Sequence, residues 1–151
     1  MELEESVFAA ASHSGIFEII NDVNRARLGK DHDYFNTGVI LMDLVKARKI
    51  VTAEDIFECV RKEMDMLVLP DQDVFNLLYG THTFQIDDNV WNYDARYYSA
   101  YLLKSEGKCT MDWVMQNTVF LHFCGKQKPW KTKNSNRFSA LYKHYMNLVR
   151  K

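Results

Sequence analysis

The chain has 151 residues, of which 47% are hydrophobic and 13% aromatic. This composition is typical of one globular domain with its own core and excludes a disordered chain. The net charge of −1 excludes an overall field that would attract nucleic acid or an anionic membrane.

The first segments alternate between strand and helix patterns. Ser6–Ala11 is a short apolar run of the buried-strand type. A helix is predicted next, because apolar residues recur at helical spacing: Ile16, Ile19, Ile20 and Val23. Val39–Met42 then indicates a strand that is buried on both faces.

The next segment has a helix start signal. Thr52 is a good N-cap, and Asp55 follows at the third helical position. One apolar stripe predicts an ordinary core-facing helix: Ala53, Ile56, Phe57, Val60, Met64 and Leu67. A short helix over Asp71–Leu78 and a brief strand within Thr83–Asp87 are expected after it.

The second half ends in a clear helix. Trp91–Tyr98 is rich in aromatic residues, which suit either sugar stacking or core packing, and the pattern does not separate the two. Thr110 is expected to cap a short helix over Met111–Gln116, which leads into an apolar strand over Val119–Phe123. A last stripe predicts the closing helix: Phe138, Leu141, Tyr142, Tyr145, Leu148 and Val149.

The strand near residue 122 delivers a histidine into a glycine turn. Alternation places His122 and Cys124 on the same side of the strand, at the end where open α/β sheets bind ligands. Gly125 permits a close backbone approach, and Lys128 adds an ammonium group. These groups suit a metal-bound anion such as a diphosphate. The alternative is a buried strand histidine beside a solvated loop with Lys126, Lys128, Lys131 and Lys133.

Three motifs resemble those of glycosyltransferase family 8. They are the Phe-Asn-x-Gly segment Phe35–Gly38, the Asp-Gln-Asp segment within Pro70–Asn76, and the His-x-x-Gly-x-x-Lys-Pro-Trp segment His122–Trp130. They stand in the family's order. The resemblance implies an α/β fold, the carboxyl-terminal portion of a GT-A type nucleotide-sugar transferase, with a mixed sheet flanked by helices and one partial domain over residues 1–151.

The resemblance also implies an activity and its partners. It implies transfer of a hexose from a UDP-sugar, with retention at the anomeric carbon, to a carbohydrate or glycolipid acceptor of glycan or lipopolysaccharide type. Mn²⁺ or another divalent metal usually assists. An acidic start at Met1–Glu5, no apolar run of about 18 residues and three scattered cysteines predict a cytoplasmic protein without disulfides or a transmembrane segment.

The resemblance also implies roles for individual residues, by their positions in the three motifs. Asn36, Asp71 and Gln72 match positions that contact the transferred sugar, and Asp71 and Gln72 are the catalytic candidates. Because a neutral amide is a poor nucleophile, Gln72 is expected to stabilise an oxocarbenium-like centre through its carbonyl dipole. His122 matches a metal ligand, and the diphosphate positions are matched by Gly125 and Lys128.

One departure from the family pattern bears on activity. The family's Asp-x-Asp motif, which supplies the other metal ligands, belongs upstream of a segment like Val7–Ala11, and these residues do not contain it there. The resemblance therefore implies that the amino-terminal half that holds the nucleoside is missing from these 151 residues. We therefore expect the isolated chain to expose a strand edge, to self-associate and to lack turnover.

Other function classes compete with the transferase. A non-catalytic interaction module could keep part of the sugar-nucleotide pocket. Nucleic-acid binding through the lysine loop and Trp130 is disfavoured on a slightly acidic chain. A zinc site at His122 and Cys124 is disfavoured because Cys59 and Cys109 lack paired spacing.

Overall fold

A computed structural model describes residues 3, 5–13, 18–126, 128–131 and 136–150. Ile16 and Lys133, which the sequence patterns include, lie outside the described residues. The chain divides into two compact units, Met1–Asp88 and Asn89–Lys151. The interpretation of residues 1–151 as one partial domain stays a prediction.

Helices and strands alternate along much of the chain, as expected for an α/β protein. The elements are β1 Phe8–Ala10, α1 Glu18–Leu28, β2 Ile40–Met42, α2 Leu44–Ile50, α3 Ala53–Glu63, α4 Pro70–Tyr79, β3 Thr83–Gln85, α5 Asp88–Trp91, β4 Tyr93–Asp94, α6 Tyr98–Lys104, α7 Met111–Asn117, β5 Leu121–His122 and α8 Ser139–Val149. Short 3-10 turns follow α3 at Met64–Met66 and α4 at Gly80–His82.

The first unit contains a mixed sheet in the order β2-β1-β3. Strand β1 pairs antiparallel with β2 and parallel with β3, so that Ala9 lies between Leu41 and Phe84. Phe8 on β1 contacts Phe75 and Tyr79 of α4, with ring centroids 5.3 and 5.4 Å apart. This packing fixes α4 against the sheet.

The interpretation of β2 as a strand buried on both faces is wrong. Leu41 and Met42 are 46% and 42% exposed. The physical reason is the strand order, because β2 has a described neighbour on one side only. By contrast β1, the central strand, is fully buried as predicted.

The apolar helical stripes are less buried than predicted. On α1 the buried residues are Asn21 and Leu28, whereas Ile19 is 79% exposed. On α3 only Cys59 is buried, and Phe57 is 66% exposed. Helical spacing therefore located the helices correctly but not their buried faces.

The second unit contains the parallel strand pair β4–β5 and an aromatic core. The rings of Tyr93 and Tyr101 stack with centroids 4.1 Å apart, and Phe138 meets Tyr93 edge-on. The open question about Trp91–Tyr98 is settled for Tyr93, which is 0% exposed and belongs to the core.

The capped helices and the cysteines agree with the sequence. Thr52 and Thr110 accept hydrogen bonds from backbone amides at the starts of α3 and α7. Helix α2 is an element that the sequence patterns did not predict, and Asp43 caps it.

All three cysteines are free and buried. Over the described residues, the structure has no helix that combines the length and apolarity needed to cross a membrane.

Candidate functional site

Asn76 joins two of the sequence motifs. The backbone amide of Phe35 donates to Asn76 Oδ1 at 2.7 Å, and Asn76 Nδ2 donates to the Phe35 carbonyl at 2.8 Å. Asn76 is 0% exposed, so these bonds replace its contacts with water. The Phe-Asn-Thr-Gly segment is thereby held against α4.

This attachment brings two predicted sugar-binding residues together. Asn36 Nδ2 donates to Gln72 Oε1 at 3.1 Å, although the residues are 36 positions apart in the sequence. The Thr37 amide lies 3.3 Å from the same oxygen and also donates to it. The Gln72 carbonyl therefore has a fixed direction. Asp71, the other sugar candidate, is exposed in the first turn of α4.

Asp73 anchors the start of α4. Its carboxylate is 0% exposed and accepts hydrogen bonds from Arg27, at 2.7 and 3.1 Å, and from the Tyr34 hydroxyl at 2.5 Å. The amides of Val68 and Leu69 donate to it at 2.6 and 2.9 Å.

The charges around Asp73 follow from these bonds. Burial alone would raise the Asp73 pKa, but the bonds from Arg27 and Tyr34 outweigh it and lower the pKa to about 2. Burial and the neighbouring carboxylate raise the pKa of Tyr34. Asp73 is therefore an ionised structural anchor, and the residue before it, Gln72, is held in place.

His122, the predicted metal ligand, lies at the end of β5. Its Nδ1 donates to Asn92 Oδ1 at 2.9 Å, and Cys124 Sγ lies 3.1 Å from the same nitrogen. This bond selects the neutral tautomer in which Nε2 carries the lone pair that a metal needs. Burial, followed by the charge of Asp94, raises the Cys124 pKa to about 12, so its thiol remains protonated.

The glycine turn after His122 is required by its conformation and its neighbour. Gly125 has a φ of +71°, and a Cβ there would lie 2.9 Å from Arg96 Nη1. Lys128 Nζ donates to the Phe123 carbonyl at 2.7 Å and lies 5.9 Å from the centre of the Trp130 ring. Gly125 and Lys128, the predicted diphosphate residues, therefore both follow β5 closely in the chain.

The side chains around His122 do not form a complete set of ligands for a divalent metal. The described ranges contain no group of three or more His, Cys, Asp or Glu side chains that could hold a metal. Of the groups around His122, Cys124 is a protonated thiol, and Asp94 forms an ion pair with Arg96 at 2.6 Å. His122 fits one position of a manganese site, and these neighbours do not supply the several oxygen ligands that manganese prefers. The same facts disfavour zinc at His122 and Cys124.

Four residues that sequence reasoning missed position the candidates: Asp73, Asn76, Asn92 and Arg96. A signal existed for the first two, because Asp73 and Asn76 are polar residues three apart that flank buried Val74 and Phe75. No comparable pattern marks Asn92, whose partner His122 is 30 positions away.

Known proteins resemble this chain in sequence. The family model described as "Glycosyl transferase family 8" matches residues 1–134. General stress protein A of Bacillus subtilis is 27% identical over 99% of this chain and 52% of its own length. A lipopolysaccharide 1,2-glucosyltransferase of Escherichia coli is 30% identical over 64% of this chain and 29% of its own.

Solved structures show the same fold. Galactosyltransferase LgtC, in complex with donor and acceptor sugar analogs, matches with a TM-score of 0.75 at 20% identity, over 98% of this chain and 54% of its own. Glycosyltransferase GlyE of Streptococcus pneumoniae matches with a TM-score of 0.65 at 20% identity, over 96% of this chain and 33% of its own.

The chain spans about half the length of the first of these relatives and of LgtC. The predicted GT-A type α/β fold is confirmed. Because the family model covers most of the chain, the protein belongs to glycosyl transferase family 8.

Proposed function

We propose that this chain is the sugar- and phosphate-binding portion of a retaining glycosyltransferase that moves a hexose from a UDP-sugar to a carbohydrate or glycolipid. The observation that carries this proposal is the bond between Asn36 and Gln72. Two motifs that resemble sugar-contacting segments of the family come together there, and the buried bonds of Asn76 hold them.

Each candidate residue has a role at the sugar end. Asp71 is exposed and ionisable, so it can accept hydrogen bonds from sugar hydroxyls. Asn36 fixes the Gln72 amide. The Gln72 carbonyl then stabilises positive charge at the anomeric carbon while the bond to the diphosphate breaks and the acceptor oxygen enters on the same face.

The phosphate end is assigned to the second unit. Gly125 offers a backbone amide that no Cβ shields, and Lys128 offers an ammonium group. His122 would supply one ligand, its Nε2, to a divalent metal, most simply Mn²⁺, and its described neighbours do not supply the oxygen ligands. The metal, when bound, offsets negative charge on the leaving diphosphate. The metal dependence, like the UDP donor, comes from the family resemblance.

Three free, buried cysteines support a cytoplasmic location, because thiols stay reduced there. The slight net negative charge argues against nucleic acid as a partner.

A non-catalytic sugar-nucleotide module is the second candidate. It is favoured by the lack of a three-ligand metal group among the described residues. Such a module would bind donor without turning it over.

Calorimetric titration with UDP and UDP-galactose or UDP-glucose, in manganese, tests the proposal. The wild-type chain should bind the UDP-hexose more tightly than UDP. Asn36→Ala should reduce this difference, because Gln72 Oε1 loses the shorter of its bonds from Asn36 and Thr37, while UDP affinity stays the same. Asn117→Ala is the matched control, because it changes an asparagine whose side chain bonds the Trp113 carbonyl and none of the candidate residues in the described part of the chain. Equal affinities of the wild-type chain for UDP and UDP-hexose would overturn the sugar subsite.

His122→Ala tests the metal assignment. In a version of the chain completed by an amino-terminal family half, manganese-dependent transfer should be abolished with the fold intact. Unchanged turnover in that variant would remove His122 from the metal site, and donor binding without turnover in the completed wild type would favour the non-catalytic module.

A further inference from the structure

The second unit contains a cavity of about 460 Å³ with a basic lining. Three of its lining residues are cations, Arg96, Lys126 and Arg137, and none of its described lining residues is an acid. Ser99 adds a hydroxyl and Asn136 an amide. A concave site with several cations and neutral hydrogen-bonding groups suits a compact anion.

Arg96 is held in position for an anion. Three hydrogen bonds of 2.6 to 3.1 Å join its Nε and Nη2 to the Asp94 carboxylate, which is 3% exposed. These bonds leave Nη1 directed toward Gly125. The guanidinium also lies 4.8 Å from the centre of the Tyr97 ring. The side chain is 39% exposed, so it is reachable as well as fixed.

Arg137 is fixed in a different way. Its guanidinium lies 4.8 Å from the centre of the Tyr98 ring. No acid forms an ion pair with Arg137 among the described residues. Residues 125–137 contain four lysines besides Arg137, namely Lys126, Lys128, Lys131 and Lys133, and no acid. Local charge is therefore strongly positive on a chain whose net charge is −1.

We propose that this cavity binds a phosphate group of a substrate, through Arg96, Lys126 and Arg137. The proposal deepens the proposed function and rests on it, because it adds a phosphate contact to those of Gly125 and Lys128. The planar guanidinium fork of Arg137 matches phosphate oxygens two at a time, whereas Arg96, whose Nε and Nη2 bond Asp94, offers Nη1. The phosphate can come from the donor's diphosphate or from a phosphorylated carbohydrate acceptor, and the two sources are separated by competition.

Titration of the 151-residue chain with inorganic phosphate at low ionic strength is the direct test. Arg137→Gln should weaken phosphate binding about tenfold, which corresponds to about 1.4 kcal/mol. Arg137→Lys should recover part of the affinity. Arg150→Gln removes the same charge from the same unit outside the cavity lining and should leave the affinity unchanged. Absence of phosphate binding, or equal losses in Arg137→Gln and Arg150→Gln, would overturn the proposal.

Competition experiments then identify the source of the bound phosphate. They also distinguish failure of the cavity proposal from failure of the proposed function. Displacement of phosphate by UDP identifies the donor, whereas displacement by glucose 6-phosphate but not UDP identifies an acceptor; either result supports the cavity. If phosphate binds at the cavity but UDP-hexose does not bind the chain, the proposed function fails and the cavity stands. If UDP-hexose binds with wild-type affinity in Arg137→Gln and no phosphate binds, the cavity fails alone.

Discussion

The candidate sugar-binding residues of the first unit and the candidate phosphate-binding residues of the second unit are held in different ways. At the sugar end, in the first unit, Asp73 and Asn76 are fully buried and their bonds lock Gln72 and the Asn36 segment. At the phosphate end, in the second unit, Lys126 and Trp130 are exposed on a glycine turn. The proposed function would account for this difference, because a reacting carbon needs precise placement, whereas a diphosphate can be held by charge.

The largest expected effect is a loss of stability when the buried Asp73 carboxylate is removed. Asp73→Ala leaves Arg27, the Tyr34 hydroxyl and two amides without their acceptor, and should lower the free energy of unfolding by about 3 to 5 kcal/mol. Asp22→Ala removes an exposed partner of Arg25 at 3.4 Å and should cost less than about 1 kcal/mol. Urea unfolding followed by circular dichroism measures both. Equal effects would show that the Asp73 bonds contribute no more than a surface pair.

Acid should weaken the same anchor without a mutation. The Asp73 pKa is about 2 in the folded chain and about 3.8 otherwise, so its contribution is present above pH 4 and is lost as the pH falls toward 2. The loss should be on the order of 2 kcal/mol. Unfolding free energies measured from pH 5 down to pH 2 should fall more steeply in the wild type than in Asp73→Asn. Parallel curves would assign the acid sensitivity to other groups.

Local features of the chain could be predicted from the sequence. The motifs supplied the candidate site residues, and the structure joins two of them, Asn36 and Gln72, by a hydrogen bond. Their sugar-binding role stays a prediction. The capping signals at Thr52 and Thr110 located helix starts correctly, because capping is a local interaction.

Contacts between residues that are far apart in the sequence could not be predicted from it. The bond between Asn92 and His122 joins positions 30 apart, and periodicity carries no information about such partners. The apolar stripe of α3 indicated a core face, yet Phe57 is 66% exposed. Spacing shows that residues share a face of a helix, but only the tertiary packing decides whether that face is covered.

The phosphate end is tested by Lys128→Ala. Loss of one charge-assisted contact should weaken donor binding by about 1.5 to 3 kcal/mol, equally for UDP and for the UDP-sugar. Lys131→Ala is the matched control, because it removes a lysine of the same loop whose Nζ bonds the Lys126 carbonyl. Calorimetry with both ligands measures the losses. A loss seen only when the sugar is attached would move Lys128 to the sugar end.

The smallest expected effect concerns the exposed edge strands β2 and β3, which lie outside the candidate sugar- and phosphate-binding residues. Leu41 on β2 and Phe84 on β3 flank Ala9 and are 46% and 51% exposed, and each lies on a strand with one described neighbour. Unpaired strand edges with apolar side chains favour association between copies. We therefore expect the chain to self-associate, or to bind a hydrophobic dye, and to show no turnover of UDP-glucose or UDP-galactose in manganese.

Phe84→Lys should weaken this association by on the order of 1 kcal/mol, because a half-exposed ring loses part of its burial between copies and a charge blocks the edge. Leu103→Lys places the same charge on helix α6, where the native side chain is 83% exposed but belongs to no strand, and should leave association unchanged. Sedimentation over a range of concentrations compares the three chains, and donor hydrolysis is assayed on the same samples. A compact wild-type monomer that hydrolyses donor would show that these edges are not sticky and that the described residues suffice for catalysis.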